Sequence, residues 1–127
     1  MNTQQKKHVL LADDDLATRR LFGSKLASAG FEVLYASDGN EAIEIARRFQ
    51  PHLIVTDIDM PNKDGITAAY ELKADPQTEH IHIIFLTNSD LPVETEKKMK
   101  EFVGADYMSK SIDLKEFIEQ VKKVIGQ

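Results

Sequence analysis

Four short polar clusters in this sequence each follow an apolar run: Asp13-Asp14-Asp15, Thr56-Asp57-Ile58-Asp59, Thr87-Asn88-Ser89 and Ser109-Lys110-Ser111. If they meet in space, they bring together carboxylates, a hydroxyl and an ammonium. Carboxylates packed together repel and take up protons unless a cation sits among them. Two carboxylates with a backbone carbonyl suit Mg²⁺, a hard cation that wants oxygen ligands in octahedral geometry and keeps some of its waters. A site with that cation and a lysine fits phosphoryl transfer, which asks a protein mainly for positioning and positive charge. A carboxylate is itself a competent nucleophile toward phosphorus.

Each of these residues also has a plainer use. Asp15 before Leu16 fits a helix N-cap, but one cap needs only one aspartate and leaves Asp13 and Asp14 without a role. Asp57 could be a loop residue satisfied by turn amides, and Thr87 a strand terminus with its hydroxyl on backbone. Lys110 taken alone would be a solvated surface lysine, and Asp64-Gly65 reads as the cap and first turn of a helix. The histidines His8, His52, His80 and His82 show no ligand spacing and read as strand-edge and loop residues.

The clusters can meet only if the elements between them bring them to one edge. Apolar runs without alternation at 9–12, 33–36, 53–55 and 81–86, and a weaker one at 106–108, predict strands covered on both faces, hence a parallel sheet. Between them lie helical spacings: Phe22, Leu26 and Ala29; Ala42, Ile45, Ala46 and Phe49; Ala68, Ala69 and Leu72; Met99, Phe102 and Val103; Leu114, Phe117, Ile118, Val121 and Ile125. Each predicts a helix with one buried stripe. Gly30, Pro51, Pro76 and Gly104 close helices, and Asp38 with Glu41 and Asp113 with Glu116 have capping-box spacing. Strand then helix, five times over, predicts an α/β fold, a (βα)5 doubly wound parallel sheet with helices on both faces. In such a sheet, ligands bind outside the carboxyl ends of the strands, where all four polar clusters fall.

Composition narrows the function. The 127 residues carry 16 Lys+Arg and 21 Asp+Glu, a net charge of −5, with 42% hydrophobic residues and no cysteine. That is one ordinary globular domain, with no disulfide, no thiolate nucleophile and a cytoplasmic setting as the simplest. Net acidity argues against direct nucleic-acid binding, and no apolar run approaches the roughly 20 residues of a membrane span. Residues 1–7 read as a flexible lead and 8–127 as the domain, with no effector domain expected because Gln127 follows the last helix almost at once. A dinucleotide-binding reading fails for want of Gly-x-Gly-x-x-Gly after the first strand.

From His8 to Ile125 the chain resembles the receiver domain of two-component response regulators, especially the single-domain chemotaxis type. The strongest piece is Asp57-Ile58-Asp59-Met60-Pro61-Asn62-Lys63-Asp64-Gly65, which looks like the phosphoacceptor strand end and following loop, joined to the acidic cluster, Thr87 and Lys110. The resemblance implies a flavodoxin-like three-layer sandwich with sheet order 2-1-3-4-5. It implies that Asp57 accepts a phosphoryl group from a sensor histidine kinase or histidine phosphotransfer protein. Asp14, Asp57 and the backbone carbonyl of Asp59 would hold Mg²⁺, with Asp13 acting through water. Lys110 would pair with a phosphoryl oxygen, Thr87 and Tyr107 would form the switch, and Asp59, Asn88 and Ser89 would tune the kinetics. A downstream protein would dock in trans on the fourth helix, fifth strand and fifth helix, and the chain would be a signalling domain rather than an enzyme with turnover.

Two positions depart from that pattern: Ser111 stands where the family usually has proline after the lysine, and Asn88 where it has a very small residue. A non-proline cis bond costs about 3 kcal/mol, so a trans Lys110–Ser111 peptide is expected. Two other readings compete. Asp57-Ile58-Asp59 repeats the Asp-x-Asp motif of haloacid-dehalogenase-like phosphatases, though there the motif ends the first strand and Asp13-Asp14-Asp15 would lack a role. A pseudo-receiver that binds partners without phosphorylation would not need the full set of site side chains present here.

Overall fold

The computed structural model describes residues 6–88 and 90–127, so Met1 to Gln5 of the expected lead and Ser89 lie outside the described residues. Five strands, β1 (His8–Ala12), β2 (Glu32–Ala36), β3 (Leu53–Thr56), β4 (His82–Thr87) and β5 (Asp106–Ser109), alternate with five helices. The helices are α1 (Leu16–Ser28), α2 (Gly39–Phe49), α3 (Gly65–Ala74), α4 (Val93–Lys98) and α5 (Leu114–Ile125). The strands form one parallel sheet in the order β2-β1-β3-β4-β5, the flavodoxin-like arrangement. The Lys7 carbonyl, at the end of the expected lead, accepts the Glu32 N–H at 2.9 Å.

Strand side chains alternate between two apolar layers, since successive Cβ atoms point to opposite faces. Leu10, Ile54, Ile83 and Phe85 pack against Ala42 and Ala46 of α2 and Ala69 and Leu72 of α3. Val9, Leu11, Val55, Ile84 and Leu86 pack against Phe22 and Leu26 of α1 and Phe117 and Val121 of α5. The expectation of coverage on both faces holds for β1, β3 and β4. It does not hold for β2, an edge strand whose Val33 and Leu34 are half-buried and whose Tyr35 is exposed, because no strand among the described residues pairs with its outer side.

Two aromatic residues of the expected stripes are also on the surface. Phe49 is the last residue of α2 and 52% exposed, with the Arg48 guanidinium over its ring; Ile43 is buried on that helix instead. Phe102 is 67% exposed because Met99–Val103 winds as a π-helical turn. Closing i to i+5 widens the turn, so Met99 and Val103 stay buried while Phe102 swings away from the face an α-helix would give it.

Four helices begin with an aspartate that accepts amides of the first turn: Asp15 from Thr18, Asp38 from Glu41, Asp64 from Thr67, and Asp113 from Lys115 and Glu116. Glu41 varies the expected capping box by accepting from the Ser37 N–H and hydroxyl, one residue further back. Helix α4 follows Pro92 with no side-chain cap and buries none of its six residues, so it is the least anchored of the five helices.

The core and the amino-terminal rim each give a test. Phe117 is fully buried with its ring edge-on to Phe22 at 5.0 Å, so Phe117→Ala is expected to cost about 3–5 kcal/mol in urea unfolding. At the rim, His52 accepts the His8 N–H on Nδ1 at 3.0 Å, and burial, with Lys7 and His8 adding, pulls its pKa down. A lowered folded-state pKa gives stability that is present above the unfolded value near 6.5 and lost as pH falls. The stability margin of the wild type over His52→Ala is therefore expected to shrink between pH 7.5 and about 5, read by thermal unfolding.

Candidate functional site

Register decides which polar clusters meet. Ala12 pairs with both Ala36 and Thr56, so Asp13 and Asp57 leave the sheet side by side. Each first loop residue stays tied to the neighbouring strand: Asp13 N–H donates to the Ala36 carbonyl at 3.0 Å, Asp57 N–H to Ala12 at 2.8 Å, and Lys110 N–H to Thr87 at 3.2 Å. These ladder-end bonds set the backbone of three site residues before any side chain is considered.

Asp13, Asp14 and Asp57 each bring a carboxylate oxygen within 4.8 Å of the others. Asp13 and Asp57 are buried, while Asp14 is exposed. Lys110 Nζ bridges the buried pair, donating to Asp13 Oδ2 at 2.7 Å and to Asp57 Oδ2 at 3.0 Å. Asp57 Oδ1 accepts the Ile58 N–H at 2.7 Å, and Asp13 Oδ1 accepts the Asp15 N–H at 2.9 Å. The plainer use of Asp57, a loop aspartate on turn amides, thus accounts for one of its oxygens and leaves the other facing the cluster.

Burial pushes the Asp13 carboxyl up, and the Lys110 and Asp15 donors offset this only in part. Burial pulls the Lys110 ammonium down, yet its bonds to Asp13 and Asp57 outweigh it and the net shift is upward. By formal count, three carboxylates face one bridging ammonium. An all-oxygen donor set with a remaining deficit of positive charge fits a divalent hard cation such as Mg²⁺.

Around this centre, Thr87 is buried at the end of β4, Asp59 and Asn88 are exposed, and Tyr107 is half-buried against the α2–α3 side of the core. Burial raises the Tyr107 phenol, with Asp90, Glu96 and Asp57 adding to it. The Lys110–Ser111 peptide is trans, as expected from the cost of a non-proline cis bond. Ser111 N–H donates to Ser109 Oγ at 3.1 Å, and the two hydroxyls are hydrogen-bonded at 2.8 Å. Ser89 lies outside the described residues.

Two supports escaped the reading of the sequence. Arg19, one turn after Asp15 in α1, donates from Nη1 to the Asp13 carbonyl at 2.6 Å. Gly65 reads in the sequence as a first-turn helix residue and the end of the 57–65 motif, with no contact to Asp57 implied, but a Cβ there would lie 2.0 Å from the Asp57 carbonyl oxygen. That carbonyl also accepts the Thr56 hydroxyl at 2.9 Å. Glycine is a poor helix residue, so its place just inside α3 was itself a signal of close backbone approach.

The description "response regulator receiver domain" matches residues 9–122, and the chain belongs to that family of two-component signalling domains. The polar-differentiation response regulator DivK of Brucella anthropi is 30% identical over 120 residues, spanning 94% of this chain and 97% of its own. Among solved structures, the chemotaxis response regulator CheY4 of Vibrio cholerae superposes with a TM-score of 0.84 at 27% identity, over 94% of this chain and 99% of that one. The receiver domain of the sensor histidine kinase PA1611 of Pseudomonas aeruginosa, solved with a magnesium ion coordinated in its active-site cleft, gives 0.85 at 27% identity over 97% and 100%. Among the described residues, no helix is long and apolar enough to cross a membrane.

The Gly65 contact is testable against a second glycine. Gly65→Ala drives a methyl into backbone and is expected to cost about 1–3 kcal/mol, with amide NMR shifts at 56–59. In Gly23→Ala the added carbon meets the Tyr35 ring instead, which is exposed and can swing aside, so a cost under about 1 kcal/mol is expected.

Proposed function

We propose that this receiver accepts a phosphoryl group on Asp57 in a Mg²⁺-dependent reaction. The observation that carries the reading is the buried Asp13–Asp57 pair bridged by Lys110, with Asp14 close by. Asp14, Asp57 and the Asp59 carbonyl would hold the ion, and Asp13 would act through a bound water. When bound, Mg²⁺ neutralises the carboxylates and the charge on the incoming equatorial oxygens. A carboxylate oxygen of Asp57 attacks phosphorus of a phosphohistidine on a sensor kinase or phosphotransfer protein. The new O–P bond forms as the P–N bond breaks, and the imidazole leaves with the electron pair. Lys110 shifts from bridging two carboxylates to pairing with a phosphoryl oxygen, and the Thr87 hydroxyl donates to another. The imidazole is the leaving group, so no general acid is needed to expel an alkoxide, and the chain acts as a phosphoacceptor with slow self-dephosphorylation tuned by Asp59, Asn88 and Ser89.

The positions of Thr87 and Tyr107 support an output through the fourth helix, fifth strand and fifth helix. Thr87 ends β4, and Tyr107 on β5 pairs with Phe85 and lines a groove between α4, β5 and α5 with Met99, Lys100, Ile112, Gln120 and Val124. A hydroxyl drawn toward phospho-Asp57 leaves space into which the Tyr107 ring turns. That movement changes the face offered to a downstream protein in trans. The phosphorylated state shifts a population only by its differential affinity for the two conformations, about tenfold per 1.4 kcal/mol. The same reading places the protein in the cytoplasm beside its kinase, with residues 8–127 as the working unit.

Two measurements test it. Acetyl phosphate with Mg²⁺ is expected to add one phosphoryl group by intact mass, and Asp57→Asn or EDTA to abolish the addition; equal labelling in either case would refute the chemistry. Beryllofluoride with Mg²⁺ is expected to move amide NMR signals throughout 87–110. Shifts confined to the loops at Asp14 and Asp57 would leave a phosphate relay without a switch.

A further inference from the structure

The loop from β3 to α3, which carries Asp57 to Asp59, is closed at its ends and held at its middle by different contacts. Gly65 N–H donates to the Ile58 carbonyl at 2.8 Å and closes the ends. At the middle, Lys63 N–H donates to the Pro61 carbonyl at 2.7 Å across Asn62, whose φ is +67°. Asparagine enters that region more readily than other residues with a side chain, and a three-residue turn there persists only where its surroundings hold it.

The surroundings that hold it are the start of α2. Asn62 Nδ2 donates to Asp38 Oδ2 at 2.7 Å, and Gly39 N–H donates to the Lys63 carbonyl at 2.9 Å. A Cβ on Gly39 would stand 2.6 Å from that carbonyl, so glycine lets the two loops meet. Asp38 is buried and spends its two oxygens on separate tasks: Oδ1 caps α2 through the Glu41 N–H at 2.8 Å, and Oδ2 takes Asn62. Those two bonds, the Glu41 amide first, hold its carboxyl below the usual range.

We propose that Asp38 and Asn62 are positioning residues whose side-chain hydrogen bond latches the β3–α3 loop to the start of α2 and presets the Asp57–Asp59 backbone for a divalent cation. The inference rests on the metal-dependent reading above. Asp38 reads in the sequence only as a helix cap, and Asn62 only as part of a loop. The latch gives both a second task at a distance from the carboxylates themselves, and it makes cation affinity depend on a contact between residues 24 apart in the chain.

The test measures Mn²⁺ affinity of the whole protein by electron paramagnetic resonance, with thermal unfolding and acetyl phosphate labelling alongside. Asn62→Gly keeps the positive φ and removes the latch; it is expected to bind Mn²⁺ roughly tenfold more weakly with little loss of thermal stability. Asn62→Asp sets two carboxylates against each other and is also expected to weaken binding, although an added negative charge by itself would strengthen it. Adding Asp38→Asn to Asn62→Asp restores a donor and an acceptor with roles exchanged and keeps a good cap on α2, so affinity is expected to return to within about twofold of wild type. Unchanged affinity in Asn62→Gly, tighter binding in Asn62→Asp, or no rescue in the double variant would each overturn the latch. A wild type that neither binds Mn²⁺ nor takes a phosphoryl group would instead bring down the metal-dependent reading beneath it.

Discussion

Like charge gathered at one rim is the constraint on which this structure turns. Asp13 and Asp57 are buried next to each other, and burial, with the Asp57 carboxylate adding, opposes the charged form of Asp13. The pair persists because Lys110 bridges it and because backbone amides of Asp15 and Ile58 each take an oxygen. The parallel sheet supplies the rest, since every crossover returns a helix N-terminus to the same rim and its partial positive charge favours carboxylates there. Four aspartate caps, Asp15, Asp38, Asp64 and Asp113, occupy those N-termini, so the rim that gathers the carboxylates is also the rim that anchors the helices.

Anchoring is uneven around that rim, and the unevenness bears on signalling. Helices α1, α2, α3 and α5 each have a side-chain cap and buried residues, whereas α4 has neither and runs into a π-helical turn. Elements with few buried contacts open at the lowest free energy and are the ones a ligand can move. The flanking strands are the opposite: Thr87 ends a strand buried on both faces, and Tyr107 rests on the same apolar layer as Phe85. A change at the carboxylates therefore meets a stiff strand on one side of Tyr107 and a loosely held helix on the other. In the proposed switch, that arrangement would turn a small displacement into a change of surface rather than a change of core.

The carboxylate side of the site is stiff for a different reason. Asp57 has its N–H on Ala12, its carbonyl under the Thr56 hydroxyl and against Gly65, and one side-chain oxygen on Ile58. A group held at this many points keeps one geometry, so the proposed attack on phosphorus would ask for little reorganisation of Asp57.

Much of this was legible along the chain because it is encoded locally. The five apolar runs, the helical spacings and the aspartate caps depend on neighbours within a few residues, and they correctly place Asp13, Asp57, Thr87 and Lys110 at strand ends. The 57–65 motif, joined to the acidic cluster, Thr87 and Lys110, made the receiver resemblance visible, and the family match and the fold bear it out. Local spacing does not say which strand lies at the edge, so the exposure of Tyr35 could not be read from it. Nor does it say where a helix widens, and Phe102 is solvent-exposed for that reason. The contacts that complete the site join distant residues: Lys110 to Asp57 across 53 positions, Asn62 to Asp38 across 24, and Gly65 to the Asp57 carbonyl at a separation only glycine allows. Residue types along the chain determine what chemistry is available, but strand register and the close approach of loops decide which atoms meet, because those depend on how the whole sheet is assembled.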